Sequence, residues 1–532
     1  MNYLLVSLMR LGDILLLHPV IKNLKQRGAK VDLLINKEFA FVESYLTEVD
    51  NFHYLDRSAI QENMQSIDTH ILRSFDMVQE LVRNIDESNY TNICNLTHNK
   101  LSSLLLECFD TNECVTVGAS SLGANNFNSP WLTYLDDRAE MPTSSSFHLI
   151  DIFAKSIGLD DYNTEISTVE SENFVCAQIN TAEEKKTFSN EQWRSIFSMY
   201  SLMANNTEVK VLCAPNELVS TDLIVEPLRK RGVNISVVAC SLLEARDLIS
   251  RSKLFLTVDT SIKYLAIGTN TPVVEVSLGS SNFRWTGAYG PRNLVLQPLT
   301  ICGPCSHSLA CTQKSFICQE EIPSEVVAAS MHHMEIRDFN SVLHLAEEYE
   351  SIHFAKTEVR EDGIWTSIRL GRNYIQESLA DLIEQSAWNI VLNSDLDDEW
   401  QAFDEECLGL RELFRKNIDI LGLDVKACLE KLESYLLGGE IEAQEFSNKI
   451  SRSKIVQQDS NEILGSIDSW VSGLPEDLQV ESYAGRFQSL LNKNKGEEAN
   501  HMAKEILFQM NNLFRVKRKL SESVRVDYME GL

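Results

Sequence analysis

Along the first 170 residues, short continuous apolar runs alternate with segments whose apolar residues recur at helical spacing. Short apolar runs predict strands at residues 3–8, 31–35, 93–96 and 115–118, and residues 14–25 between the first two runs carry an apolar stripe at helical spacing. That helix is expected to end near Gly28. Alternation of strand and helix predicts a parallel sheet with helices on both faces.

The same alternation begins again after a polar loop at 142–146 and a helical run at 148–157. Five further strand-like runs predict a second sheet, at 174–179, 209–214, 235–240, 254–258 and 273–277. We therefore expect an α/β chain with two Rossmann-like domains, an N-terminal domain of residues 1–170 and a C-terminal one of 171–335. Ligands of such sheets bind beyond the carboxyl ends of the strands, which places chemistry in the cleft between the domains.

The pattern changes after about residue 335, where only one of the 11 prolines lies. Apolar residues then recur at helical spacing, as in the series Ile368, Ile375, Leu379, Leu382 and Ile390. This spacing predicts an all-α extension over 336–532. Because no catalytic motif occurs in it, its expected role is a partner surface or an oligomer contact.

Charge narrows the range of partners. The 532 residues carry a formal net charge of −29, which repels nucleic acid and anionic lipid. The N-terminal apolar stretch is interrupted by Arg10, Asp13 and His18, which suits neither a signal peptide nor a membrane span, so a cytoplasmic protein is expected. The short basic run 515–519 is expected to be a solvated helix face, with contact to lipid head groups at the inner membrane as the alternative.

A candidate for catalysis follows the first predicted strand, in the segment Arg10-Leu11-Gly12-Asp13. A carboxylate beside a glycine turn at a strand end could remove a proton from a hydroxyl group. The alternative is that Asp13 caps the helix that follows. The three-glycine fingerprint of dinucleotide binding is absent from this turn, which disfavours NAD.

Two later turns combine hydroxyl groups and charge with predicted helix starts. Residues 180–193 include Lys186 and follow the first strand of the second sheet, and residues 258–266 begin with a strand end and a polar turn. Backbone amides at such turns bind phosphate groups, and an ammonium group nearby adds to that affinity. The alternatives are a solvated loop capped by Ser189 or Asn190, and simple capping of the second turn.

Together these segments resemble glycosyltransferase family 9, the bacterial heptosyltransferases that build the lipopolysaccharide inner core. The resemblance extends over about residues 1–320. It depends on the opening strand with its Gly12-Asp13 turn, on Lys186-x-Phe188-x-x-Glu191-x-Trp193, and on Asp259-Thr260 with Leu265-Ala266, Thr271-Pro272-Val273-Val274 and Tyr289-Gly290-Pro291.

The resemblance implies a GT-B fold and inverting transfer of a sugar from a nucleotide donor, typically ADP-heptose, without a cofactor in catalysis. By position, Asp13 is the catalytic base, and Thr181 and Lys186 hold the donor diphosphate. Glu217 would reach the nucleoside ribose, and Asp259-Thr260 would form the donor-site turn.

The chain departs from the family at two donor positions, where Ser261 and Tyr264 replace the usual glycine and histidine. An altered donor or a lapsed enzyme are both compatible with this change. The expected acceptor is a cell-surface glycan such as lipopolysaccharide core. The alternatives are a protein acceptor recruited by the helical extension, or a non-catalytic scaffold that binds a nucleotide sugar.

Four cysteines lie close together in the sequence, at Cys302, Cys305, Cys311 and Cys318. Their spacing can close a four-thiolate site for zinc or iron, and the Gly303-Pro304 pair favours the tight turn that such sites contain. We expect a structural role for such an ion. The alternatives are free or transiently oxidised thiols, and His307 as a substitute ligand.

Overall fold

The computed structural model describes residues 1–65, 70–86, 90–97, 99–109, 115–117, 129–139, 145–159, 169–204, 207–306, 310–360, 362–371, 375–393, 410, 413, 515–522 and 525. The chain divides into two compact units. The first contains Met1–Thr133 and His148–Trp365, and the second contains Tyr134–Phe147 and Thr366–Leu532. All nine predicted strands lie in the first unit. The predicted domain boundaries at 170 and 335 remain a prediction.

The first sheet has five parallel strands in the order β3-β2-β1-β4-β5. The strands are β1 (Asn2–Ser7), β2 (Lys30–Asn36), β3 (Asn51–Leu55), β4 (Asn92–Asn95) and β5 (Val115–Val117). Six consecutive residues of β2 are buried, as expected of a strand covered on both faces. Four of the five strands agree with the sequence prediction to within one or two residues, and β3 was not predicted.

The helices of this half begin with a difference from the prediction. Residues 14–25 do not form one helix but belong to α1 (Leu11–Leu15) and α2 (His18–Gln26). Pro19 lies in the first turn of α2, and since proline has no amide hydrogen it cannot continue the preceding helix. The other helices are α3 (Arg57–Gln65), α4 (His70–Asp86), α5 (Lys100–Leu106), α6 (Pro130–Ala139) and α7 (Leu149–Ser156), with a 3₁₀ helix at Lys37–Ser44.

The second sheet has eight strands in the order β13-β12-β11-β10-β9-β6-β7-β8. The six strands from β11 to β8 are parallel, and β12 pairs with β11 in the antiparallel sense. The strands are β6 (Phe174–Gln178), β7 (Glu208–Cys213), β8 (Ile235–Ala239), β9 (Phe255–Val258), β10 (Val273–Val276), β11 (Leu294–Pro298), β12 (Ile352–Val359) and β13 (Trp365–Arg369). The predicted α/β class with parallel sheets is therefore confirmed.

Helices of the second half connect these strands. They are α8 (Asn190–Met203), α9 (Leu218–Lys230), α10 (Leu242–Arg251), α11 (Phe283–Thr286), α12 (Ile317–Glu320), α13 (Ser324–Glu335) and α14 (Phe339–Glu348), with 3₁₀ helices at Glu184–Lys186, Pro215–Glu217 and Ser261–Ala266. Ser189 caps α8, since its hydroxyl accepts from the amide of Gln192. The capping residue is therefore Ser189 and not Asn190.

The all-α prediction for residues 336–532 is wrong between 352 and 369, where the chain forms β12 and β13. Register pairs such as Leu296↔Phe354 add β12 to the second sheet. Helix α15 (Ile375–Asn393) does follow in the predicted place, and its Leu382 and Ile390 are buried. The remainder of the predicted bundle lies almost entirely outside the described residues.

The basic run 515–519 belongs to a helical segment of the second unit, residues 515–522. Lys517 is buried, and its ammonium lies 3.2 Å from the carboxylate of Glu384. Arg518 lies 2.7 Å from Glu522. Two of these cations are thus paired within the protein, which is unfavourable for contact with lipid head groups. Among the helices of the described ranges, none combines the length and apolar character needed to cross a bilayer.

Candidate functional site

Strand order reverses once within each parallel sheet, and the predicted site residues follow these reversals. In the first sheet the reversal lies between β1 and β4, and in the second between β6 and β9. Loops leaving neighbouring strands in opposite directions open a crevice at such a point. Asp13 follows β1, Lys186 follows β6 and Asp259 follows β9.

The turn that carries Asp13 is held by side chains from the two neighbouring strands. The amide of Leu8 donates to the hydroxyl of Thr97 over 2.8 Å, and the side-chain amide of Asn36 donates to the carbonyl of Leu8 over 3.0 Å. Oδ2 of Asp13 accepts from the amide of Arg10 over 3.0 Å. The carboxylate therefore does cap helix α1, as the alternative reading expected.

Capping does not make Asp13 an ordinary carboxylate. Burial raises its pKa, and the amide and guanidinium of Arg10 offset this only in part. A carboxylate with a raised pKa is a stronger base than one in water. The same side chain can therefore cap α1 with one oxygen and accept a proton at the site.

The Asp13 turn lies against the 3₁₀ helix Ser261–Ala266 of the second sheet. A Cβ atom built on Gly12 would lie 3.7 Å from Cβ of Ser261 and 3.7 Å from Cε2 of Tyr264, which is ordinary van der Waals contact. The loops that follow β1 and β9 are therefore neighbours within the first unit.

A polar contact joins the same two regions a short distance away. Nη1 of Arg246 donates to the hydroxyl of Tyr45 over 3.2 Å and to the carbonyl of Leu265 over 3.0 Å. The hydroxyl of Tyr45 lies 3.1 Å from Nδ1 of His18, in α2. This network holds α2 near the end of the 3₁₀ helix.

Lys186 and Asp259 meet at the reversal of the second sheet. Nζ of Lys186 donates to Oδ2 of Asp259 over 2.8 Å, and both side chains are only about a tenth exposed, at 9% and 12%. Thr181, in the same loop as Lys186, accepts from the amide of Glu183 over 3.4 Å and is half-buried. The structure thus brings together the predicted ammonium group and the predicted donor-site aspartate.

Asp259 has a second cationic partner, Lys263, which the sequence analysis did not assign. Nζ of Lys263 lies 2.5 Å from Oδ1 of Asp259 and 2.9 Å from Oε1 of Glu275. The side chains of Lys263 and Glu275 are 1% and 0% exposed. Lys186, Asp259, Lys263 and Glu275 therefore form one buried cluster of alternating sign, called the charge cluster below.

The charge cluster fixes the ionisation of its central members. Burial alone would raise the pKa of Asp259, but the charges of Lys263 and Lys186 hold it below its usual range. Burial alone would lower the pKa of Lys263, but Asp259 and Glu275 raise it. Both groups are therefore charged at neutral pH.

The other predicted residues of this turn make contacts within the protein. The hydroxyl of Thr260 accepts from the amide of Ile262 over 3.2 Å and caps the 3₁₀ helix. The hydroxyl of Tyr264 donates to the carbonyl of Thr286 over 3.0 Å, and burial raises its pKa. Its single proton is therefore engaged. Ser261 is half-buried and faces the Gly12 turn.

Glu217 lies after β7, the strand next to β6. Its Oε2 accepts from the amide of Ala214 over 3.0 Å and from the side-chain amide of Asn180 over 3.2 Å. Asn180 also donates to the hydroxyl of Thr221 over 2.9 Å. The carboxylate is thus oriented by the loop that carries Lys186, and its Oε1 makes no hydrogen bond with the residues that the structure describes.

Burial raises the pKa of the Cys318 thiol, and the charges of Cys302, Cys305 and Cys311 raise it further. All four are partly exposed. Within the described part of the chain, however, no three histidine, cysteine or acidic side chains are arranged to hold a metal ion. His307 lies outside the described residues.

The cysteine segment packs on the lysine turn. The ammonium of Lys185 donates to the carbonyl of Ser306 over 3.0 Å, and the side-chain amide of Gln319 donates to the carbonyl of Glu184 over 2.8 Å. Gly279 has a φ of +62°, and a Cβ atom there would lie 2.5 Å from the carbonyl oxygen of Lys185. Only glycine allows this approach.

A second buried network was also missed by the sequence analysis. Asp151, in α7, accepts from the hydroxyl of Tyr289 over 2.6 Å and from the amide of Trp365 over 3.2 Å. Burial raises the pKa of Asp151 to about 8 and lowers that of the neighbouring His148 to about 3. In the sequence, Asp151 could have been noticed as a lone carboxylate within an apolar helix. Glu275 of the charge cluster could likewise have been noticed as a lone carboxylate within an apolar strand.

Part of this chain matches a known protein family. Residues 142–315 match the family model of glycosyltransferase family 9 (heptosyltransferase), which confirms the resemblance and the enzyme class over that range. No curated relative matches the sequence.

Three solved structures illustrate the similarity. Heptosyltransferase WaaC of E. coli with ADP is 18% identical, with coverage of 55% of this chain and 91% of that chain and a TM-score of 0.41. The family 9 glycosyl transferase of Veillonella parvula DSM 2008 is 15% identical, with 63% and 97% coverage and a TM-score of 0.45. The E. coli ADP-heptose lps heptosyltransferase II is 12% identical, with 64% and 100% coverage and a TM-score of 0.41.

Proposed function

We propose that the chain is an inverting glycosyltransferase that moves heptose from ADP-heptose to a cell-surface glycan such as lipopolysaccharide core, since residues 142–315 match the model of glycosyltransferase family 9. One observation carries the proposal: the loop bearing Asp13 contacts the 3₁₀ helix that follows Asp259, and Asp259 holds Lys186 at 2.8 Å. A base and a phosphate-binding cation thus belong to adjoining loops.

In the proposed reaction, Asp13 removes the proton of an acceptor hydroxyl group. The hydroxyl oxygen forms a bond to the anomeric carbon while the bond from that carbon to the diphosphate oxygen breaks, and its electron pair stays on the diphosphate. The raised pKa of Asp13 favours this proton transfer because it makes the carboxylate a better acceptor. Attack from the face opposite the leaving group inverts the anomeric centre.

Negative charge grows on the diphosphate as the bond breaks. Lys186 would stabilise that charge where it develops, with the hydroxyl group of Thr181 in the same loop. Oε1 of Glu217 would accept hydrogen bonds from the ribose hydroxyls, since Oε2 is occupied by Ala214 and Asn180. Catalysis would come from positioning and electrostatics, with no cofactor.

Calorimetry of the full chain with ADP, followed by assay of ADP release from ADP-heptose, tests the proposal. We expect ADP to bind, and ADP-heptose to be consumed only when a truncated lipopolysaccharide acceptor is present. Binding without release for any acceptor would indicate the non-catalytic scaffold. Intact-mass analysis of candidate proteins distinguishes a protein acceptor, which would gain the mass of one sugar.

We further propose a structural zinc or iron ion at Cys302, Cys305, Cys311 and Cys318. Their thiols lie close enough to influence one another, and thiolates suit both ions. Elemental analysis of the purified protein and of a Cys302→Ser/Cys305→Ser variant tests this. About one zinc or iron per chain is expected in the first and none in the second, whereas a metal-free native protein would contradict it.

A further inference from the structure

The charge cluster contains one more ion pair than donor binding requires. Lys186 and Asp259 correspond to the proposed donor site, whereas Lys263 and Glu275 lie beneath them, at 1% and 0% exposure. The two cations and two anions cancel. A buried ion pair contributes little to stability by itself, so the second pair invites a functional explanation.

Lys186 has a competing partner in the absence of donor. Its ammonium lies 2.8 Å from Oδ2 of Asp259, and it must give up part of this contact to reach a diphosphate. If Lys186 were the only partner of Asp259, this movement would leave a buried carboxylate without a counter-charge, which is costly. Such a pair would resist opening.

Lys263 removes this obstacle. Its ammonium lies 2.5 Å from the other oxygen of Asp259, so the carboxylate keeps a cation when Lys186 turns away. Lys263 is too deeply buried to contact the donor itself. Glu275 fixes its place, because that carboxylate also accepts from the hydroxyl of Ser277 over 3.0 Å and from the amide of Ala288 over 2.5 Å.

We propose that Lys263, anchored by Glu275, is a positioning residue that frees Lys186 to bind the diphosphate group of the donor. The inference deepens the proposed function and rests on it. Lys263 acts through Asp259 and touches neither the donor nor the acceptor. Glu275 limits the effect, because it takes part of the charge of Lys263 away from Asp259.

The test uses full-length Lys263→Met/Glu275→Gln, which removes one charge of each sign and leaves no unpaired buried ion. Affinities for ADP and for adenosine are measured by calorimetry or competition, and folding is checked by thermal unfolding. Among the residues that the structure describes, Lys186 then becomes the only counter-charge beside Asp259. We expect the affinity for ADP to fall by about tenfold while the affinity for adenosine, which has no phosphate, stays within about twofold.

Glu275→Gln alone is the matched control with the opposite sign. It raises the net charge of the cluster by one, while the amide oxygen of glutamine can still accept from Lys263 and keep it in place, so ADP should bind about two- to fivefold more tightly. Weaker binding of ADP in this variant would overturn the proposal. Lys263→Met alone leaves Glu275 unpaired, so the double variant is the one on which the conclusion depends.

The outcomes separate the two claims. A folded double variant that binds ADP like the native protein, or one that loses ADP and adenosine affinity equally, shows a merely structural pair and overturns the inference alone. If the native protein binds no ADP, the proposed function fails and the inference with it.

Discussion

Two aspartates occupy corresponding places in the two sheets, but their pKa values are shifted in opposite directions. Asp13 and Asp259 each follow a strand at the point where the strand order reverses. Burial raises the pKa of Asp13, and the charge of Arg10 with the backbone amides of Arg10 and Asp13 offsets this only in part. The pKa of Asp259 is held low despite burial because Lys263 and Lys186 flank it.

The difference shows how one type of side chain can serve two purposes. A group that must accept a proton benefits from incomplete compensation, since that raises its basicity. A group that must stay charged while its neighbour moves benefits from a surplus of partners. The number of cations within reach, and not depth of burial, separates the two aspartates.

The largest expected effect is on kcat and comes from substitution of Asp13, whose burial is only partly compensated. Asp13→Asn keeps a hydrogen-bond acceptor for the amide of Arg10 but cannot accept a proton, so kcat should fall by about 10²- to 10⁴-fold. The affinity for ADP, measured by calorimetry, should stay within about twofold. Near-native kcat in this variant would show that Asp13 only caps α1.

Substitution of Lys186 tests the surroundings of the second aspartate, Asp259. Lys186→Met takes the charge from the leaving diphosphate, so transfer should slow by about a hundredfold, and ADP should bind more weakly. Steady-state rates and calorimetry on the same preparation measure both. Exposed Lys230→Met, in α9, is a control that should leave both quantities unchanged.

The dependence of transfer on pH sharpens the contrast. Since the pKa of Asp13 is raised, kcat/KM should fall about tenfold per pH unit below a midpoint that lies above the ordinary aspartate range. The pKa of Asp259 is low, so ADP affinity should not change over the same range through this group. Coincident midpoints for transfer and ADP binding would break the distinction.

A third aspartate, Asp151, extends the comparison to the stability of the fold. The pKa of Asp151 is raised to about 8, so the folded state keeps a proton that the unfolded state loses near pH 4. The native protein should therefore lose stability relative to Asp151→Asn as pH rises from 5 to 7, by at most about 1.4 kcal/mol per pH unit. Denaturant unfolding of both proteins at three pH values checks this, and a constant difference would contradict it.

Most of the parallel strands could be predicted from the sequence, because a strand covered on both faces is a continuous apolar run. Strand β12 differs: Lys356 and Glu358 interrupt it, and it joins the sheet through antiparallel pairing with β11. The composition around it favoured helix. Pairing with a distant strand, which local periodicity does not report, decided its structure.

The site was predictable as a set of positions but not as a set of contacts. Asp13, Lys186 and Asp259 follow predicted strand ends, so topology alone brings them to the reversals. Lys263 and Glu275 are twelve positions apart, and only the fold reveals that their charges meet. In the sequence, Lys263 could not be distinguished from an ordinary solvent-exposed lysine.

Gly279 couples the loop that carries Lys186 to the cysteine segment, because its carbonyl also accepts from the amide of Cys305 over 3.0 Å. Because glycine has no side chain, the carbonyl group of Lys185, the residue before Lys186, can pack directly against Gly279. Chimeras between related enzymes should therefore exchange residues 183–186 and 279–319 as one cassette. A swap of either segment alone would join two surfaces that were not shaped for each other.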